Sequence, residues 1–210
     1  VNGSPRLYAT DFHNGRVDVF DSTFQPVKTG KGKGDDESDD NGFFSGKPRG
    51  FAPFNIQNIG DTLYVAFAKQ DAAKHDEVDG PGLGLIGAFT PTGKLIRWFD
   101  RVNDLNAPWG IAMAPSEFGA FSHYLLVGQF GSGEILAFNP ASGEFAGKLL
   151  TPGGQPVTID GLWGIGFGSG APNSGPLNTL FFAAGPDGES NGLFGSLTPV
   201  AADLVQGNSN

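Results

Sequence analysis

Three short cassettes return in a fixed order along this chain, and a chain that repeats itself stacks copies of one supersecondary unit. The first cassette is Ala52-Pro53-Phe54-Asn55-Ile56, then Ala107-Pro108-Trp109-Gly110-Ile111, then Gly161-Leu162-Trp163-Gly164-Ile165, at spacings of 55 and 54 positions. The second is Leu7-Tyr8-Ala9-Thr10, Leu63-Tyr64-Val65-Ala66, Leu125-Leu126-Val127-Gly128 and Leu180-Phe181-Phe182-Ala183. The third is Val17-Asp18-Val19-Phe20, Leu85-Ile86-Gly87-Ala88-Phe89, Ile135-Leu136-Ala137-Phe138 and Leu193-Phe194-Gly195-Ser196-Leu197. A turn such as Pro91-Thr92-Gly93 or Pro140-Ala141-Ser142-Gly143 then leads to a fourth apolar stretch. Four strands in roughly 50 residues make a β-propeller blade. The expected fold class is therefore all-β, a propeller of four-stranded antiparallel blades. A β-sandwich has no reason to repeat one cassette order at this period.

Composition agrees. Gly 34 and Pro 15 make up nearly a quarter of the 210 residues, which approaches low complexity. The 19 Phe and 39% hydrophobic content argue instead for many short strands joined by tight turns. Small residues in the first two strands (Gly110, Gly164, Ala66, Gly128, Ala183) suit crowding near a central axis. Phe20, Phe89, Phe138 and Trp98 suit the wider gaps between blades. The net charge of −9 repels phosphate backbones, so nucleic acid is not an expected partner. No apolar run approaches a membrane span. The absence of Cys removes disulfides, thiol nucleophiles and zinc–thiolate centres.

The chain reads as a single propeller domain with blades at 1–28, 51–100, 106–150 and 160–200, separated at 29–50 by an acidic, Gly-rich loop. The first and last blades are partial, and both hold second and third strands, so they do not complete each other. The expectation is an arc of a larger ring, completed by N-terminal blades or by another chain. No basic-then-apolar leader is visible from Val1 onward.

At these cassettes, and at Ala68-Lys69-Gln70-Asp71, Ala114-Pro115-Ser116-Glu117-Phe118-Gly119 and Ala184-Gly185-Pro186-Asp187-Gly188-Glu189, the sequence resembles a family of uncharacterised bacterial exported six-bladed propellers, often tailed with a PEP-CTERM sorting signal. The resemblance covers nearly the whole chain. It implies a six-bladed ring of which these are the C-terminal four blades, an extracellular or periplasmic location, and no particular activity. The acidic insertion Lys31 to Asp40 and the lack of a sorting tail after Thr198 depart from that pattern.

Function in such folds sits in the loops of one face, here the connections between blades and those between second and third strands. The long excursion Lys69 to Gly84 carries Asp71, His75, Asp76, Glu77 and Asp79, and Asp187 and Glu189 lie on the matching loop of the last blade. Oxygen-rich clusters suit Ca²⁺, so Asp11, Asp76, Asp79, Asp187 and Glu189 are candidate metal ligands beside a solvated-loop alternative. Asn55 is a candidate ligand-binding residue, placed like the Asn ligands of calcium-dependent lactonase-type propellers, and Gln129 is a further channel candidate. Trp109 and Trp163 are candidates for stacking a sugar or aromatic ligand, against a purely structural role between blades. His13 and His123 have no partner at a recognisable spacing.

Three motif matches fail on context. In Asp35 to Gly42 an EF-hand alignment puts Pro48 where the bidentate carboxylate belongs. Gly82-Leu83-Gly84-Leu85-Ile86-Gly87 runs into a strand, with no helix N-terminus for a pyrophosphate. Asn2-Gly3-Ser4 is a glycosylation sequon without further support. Two classes of function remain: a binding or scaffold module for a protein or glycan partner, and a calcium-dependent hydrolase or lactonase with its site at the central channel.

Overall fold

The computed structural model describes residues 3–27 and 49–200. Most of the 29–50 loop, with the Asp35 to Gly42 run, and Asn2 of the sequon lie outside the described residues. The described residues form antiparallel sheets and one short 3₁₀ turn at Gly119–Phe121, with no α-helix among them. Blade I pairs β1 (Leu7–Asp11) with β2 (Arg16–Phe20). Blade II is the meander β3 (Phe51–Ile59), β4 (Thr62–Gln70), β6 (Gly84–Phe89) and β7 (Leu95–Trp98), with a short β5 (Glu77–Val78) added to β4. Blade III runs β8 (Pro108–Met113), β9 (Leu125–Gln129), β10 (Ile135–Phe138) and β11 (Phe145–Lys148). Blade IV holds β12 (Leu162–Phe167), β13 (Leu180–Ala184) and β14 (Leu193–Leu197). This is a β-propeller architecture of successive antiparallel meanders, four-stranded in blades II and III, and the first strands of blades II to IV adjoin, β3 against β8 and β8 against β12.

Each gap between blades is a separate apolar core. Val17 and Val19 of blade I meet Leu63, Val65, Phe67, Leu85 and Phe89 of blade II. The opposite face of blade II, with Tyr64, Ala66, Ile86 and Ala88, meets Leu125, Val127, Leu136 and Phe138 of blade III. Leu126, Ile135 and Ala137 of blade III then meet Leu162, Leu180 and Ala184 of blade IV. A strand packed on both faces needs no polar alternation. Every residue of β9 and β10 is accordingly buried.

Three of the four aromatics expected between blades lie there: Phe89 and Phe138 are fully buried, and Trp98 packs 5.4 Å from Phe67 and 5.9 Å from Phe89, whereas Phe20 pairs with Leu7 on the face of blade I turned away from blade II. The inner strands crowd as their small residues imply. A Cβ on Gly110 would sit 2.7 Å from the Trp163 carbonyl oxygen, so only glycine lets β8 and β12 approach this closely.

One element departs from the sequence reading. Within the Lys69 to Gly84 excursion β4 continues to Gln70 and pairs with β5, Lys69 opposite Val78 and Gln70 opposite Glu77. The ladder holds Glu77 half-buried.

Candidate functional site

The loops joining second to third strands and those joining blades interlock on one face. Gln70 of blade II donates from Nε2 to the Phe12 carbonyl of blade I at 2.6 Å. Phe130 N–H donates to the Ala107 carbonyl, Ile159 N–H to Gly133 and Gly185 N–H to Gly161. The tightest joint is polar and buried. Asn106 accepts from Gly80 N–H through Oδ1 at 2.5 Å, and its own N–H donates to Gln129 Oε1 at 2.9 Å. Gln129, fully buried, returns Nε2 to the Val127 carbonyl at 3.0 Å. The structure thus places Gln129 in a link between blades II and III, with both ends of its amide satisfied.

At the centre of this face lies an aromatic cluster drawn from all four blades. Trp163 packs edge-on to Trp109 at 5.6 Å, beside Phe130 at 4.4 Å and Phe54 at 5.6 Å. Phe54 in turn touches Phe12 at 5.0 Å. The two tryptophans that the repeat singled out are therefore in contact, each half-buried. The indole N–H of Trp163 donates to Glu189 Oε1 at 2.7 Å. Asp187 and Glu189 both hold positive φ, at 57° and 63°, around Gly188 at 60°. Three successive left-handed residues turn the loop back so that the Glu189 carboxylate reaches the indole.

The other expected site residues are placed as follows. Asn55 donates from Nδ2 to the Trp109 carbonyl at 2.8 Å and accepts from the Ile56 N–H at 2.8 Å, so its amide ties blade II to blade III. Asp11 accepts from Asn14 N–H at 3.0 Å and from Asn14 Nδ2 at 2.7 Å, and Arg16 lies 3.2 Å away. Burial alone would raise the Asp11 carboxyl, but the Asn14 hydrogen bonds and the Arg16 charge outweigh it and hold it below the usual range. Asp76 pairs with His75 at 3.2 Å on an exposed loop. Asp187 accepts from Asn191 Nδ2 at 2.8 Å, while its N–H donates to Asp160. Asp79 is exposed, and no hydrogen bond or ion pair engages its carboxylate.

Sequence reading gave Glu77 no role of its own, yet it connects the two acidic loops electrostatically. Burial raises its carboxyl above the ordinary value, a backbone hydrogen bond opposes this, and the charges of Asp76, Glu189 and Asp79 raise it further. Glu189 belongs to blade IV, so carboxylates from two blades repel one another across this face. Among the described residues, no Lys or Arg forms an ion pair with Glu77, Asp79, Asp187 or Glu189. Among the described residues, no three His, Asp or Glu side chains converge closely enough to hold one metal ion. The structure brings Trp109, Trp163, Asn55 and Glu189 to one centre and leaves Asp11 and Asp76 in separate loops.

Comparison with known proteins returns relatives without an assigned activity. No protein-family profile matches the chain. Three uncharacterised proteins of Acanthamoeba polyphaga mimivirus are similar. One is 40% identical over 80% of this chain, and two are 36% identical over 91% of it. The chain spans only 31%, 48% and 45% of their respective lengths. These relatives are viral, and the exported bacterial family with its sorting tail does not figure among them. Among solved structures, Myxococcus xanthus glutaminyl cyclase matches at 18% identity with a TM-score of 0.43, covering 84% of this chain and 62% of that one. A chain of the nidogen/laminin complex matches at 13% identity and a TM-score of 0.46, covering 92% and 59%. No residue role transfers from any of them. No helix among the described residues is long and apolar enough to cross a membrane.

Proposed function

We propose that this chain is the arc of a binding propeller, six-bladed and exported, that takes a glycan on its loop face outside the cell or in the periplasm. The observation that carries the reading is the half-buried cluster around Trp163, rimmed by Glu189, Glu77 and Asp79. Aromatic faces stack on the C–H faces of sugars, and carboxylates accept their hydroxyls, so rings beside free acceptors suit a saccharide. The cross-blade bonds of Asn55 and Asn106 hold that surface rigid, which lowers the ordering cost of binding.

The test is a titration of the chain's tryptophan fluorescence with xylan, a soluble β-glucan and chitin oligosaccharides. At least one is expected to shift or quench the emission saturably. Asp79→Asn, at an exposed and unpaired side chain, is expected to weaken that binding about tenfold, the range of a hydrogen bond to a charged group. No response to any of the three sugars would defeat the reading.

A second reading, a calcium-dependent hydrolase, is favoured by the repulsion around Glu77, which a divalent cation would relieve while polarising a carbonyl. It requires the acidic loops to close on an ion. EDTA would then lower the melting temperature by several degrees and calcium would restore it.

A further inference from the structure

Two Asn–Gly pairs lie within the described residues, and both occupy the same place in a blade. Asn14 with Gly15 and Asn191 with Gly192 each end the loop between second and third strands, just before Arg16 opens β2 and Leu193 opens β14. An Asn followed by Gly carries its own reactive pair: the next backbone nitrogen can attack the side-chain amide carbon, and glycine puts no side chain in the way. In each loop the Asn amide donates from Nδ2 to an Asp of the same loop, Asn14 to Asp11 at 2.7 Å and Asn191 to Asp187 at 2.8 Å.

The two pairs differ in what holds the attacking nitrogen. Gly15 N–H donates to the Phe12 carbonyl at 3.1 Å, Asn14 N–H donates to Asp11 Oδ1 at 3.0 Å, and Arg16 clamps that carboxylate at 3.2 Å. Attack at Asn14 has to break this turn first. Asn191 and Gly192 are both exposed, and no hydrogen bond among the described residues takes the Gly192 N–H. We propose that Asn191 is a site of self-modification, converting to an aspartyl or isoaspartyl residue and thereby loosening Glu189 from Trp163. The Gly192 nitrogen bonds to Asn191 Cγ, the Cγ–Nδ2 bond breaks, and the amide leaves as ammonia with the proton that the nitrogen gives up. One water molecule then opens the cyclic imide at either of its carbonyls.

The product puts a carboxylate where a donor faced Asp187, and like charges at hydrogen-bonding distance repel. Among the described residues no Lys or Arg pairs with Asp187 or Glu189 to offset this. Asp187, Gly188 and Glu189 all hold positive φ, a conformation that persists only where the surroundings impose it. Without the Asn191 tie the loop relaxes, and Glu189 Oε1, 2.7 Å from the Trp163 indole nitrogen, moves with it. The change follows from the loop itself, whatever ligand the face takes.

The test ages the whole chain in mildly alkaline buffer and follows each Asn by chymotryptic peptide mapping and mass spectrometry, with tryptophan emission read alongside. Asn191 is expected to convert about tenfold faster than Asn14, the difference made by a backbone hydrogen bond that must first open. Tryptophan emission is expected to drift in step with that conversion, toward the spectrum of freshly made Asn191→Asp. Gly192→Ala is the control: its φ lies outside the left-handed region and an added Cβ meets nothing within 4 Å, so the fold accepts it while the methyl group hinders ring closure. This variant is expected to keep both its amide and the parent spectrum. An Asn191 amide that lasts as long as that of Asn14 overturns the proposal. So does an Asn191→Asp chain, or a converted parent, whose emission matches that of the fresh parent.

Discussion

Glu77 shows how much of this loop face is set by single side chains and their charges. Its carboxyl keeps a proton to higher pH in the folded chain than in the unfolded one, through burial and then through Asp76, Glu189 and Asp79. Between the ordinary carboxylate pKa and that raised value the folded state binds more protons. Stability therefore falls as pH rises through the window, and the full penalty persists above it. Asp11, held low, works with the opposite sign: its contribution is present at neutral pH and fades as acid protonates it. Comparing Glu77→Gln with the unsubstituted chain at each pH cancels Asp11 and isolates Glu77. The variant is expected to melt higher at pH 7 and to converge with the parent near pH 3, where Glu77 is protonated in both states. An equal or lower melt at pH 7 would show that Glu77 is not under repulsion. Nothing in the local sequence marks Glu77, because the charge that matters most across the face, Glu189, lies 112 positions away. Asn55 shows the reverse case. Its place in the cassette was legible, but the bond to the Trp109 carbonyl that occupies its amide forms only when two blades pack.

At the scale of the element, the cassettes were legible because similar residue classes return at the same strand of successive blades, and repetition separates that pattern from noise. The short β5 was not, since it exists only by pairing with the end of β4. The Asn106–Gln129 link was hidden for the same reason, its members being 23 positions apart on different elements. Gly161 opens the first cassette of blade IV, and the structure explains its identity. Its φ is +62°, and a Cβ there would run into the carbonyl of Gly185 on the neighbouring loop. That carbonyl belongs to backbone that cannot swing away, because Gly185 N–H is bonded to the Gly161 carbonyl at 2.9 Å. Gly161→Ala is expected to cost roughly 2 kcal/mol or more from the left-handed backbone and the close contact together. For a chain of this size that lowers the melting temperature by about 4–8 °C. Gly154→Ala, also at positive φ (79°) but with nothing within 4 Å, serves as the comparison and is expected to cost less. Equal losses at the two positions would mean that the contact with Gly185 contributes nothing.

For the molecule as a whole, stability is graded along the arc, because a blade packed on two sides loses more on opening than one packed on a single side. Strands β9 and β10 are buried along their whole length between blades II and IV. By contrast, among the described residues β14 pairs only with β13, and it is mostly exposed. Amide exchange follows the free energy of local opening. In dilute solution the amides of β9 and β10 are therefore expected to exchange slowest, and those of β14 fastest among the strands of blades II to IV. Protection in β14 that equals that of β10 would mean that the arc is not open at blade IV.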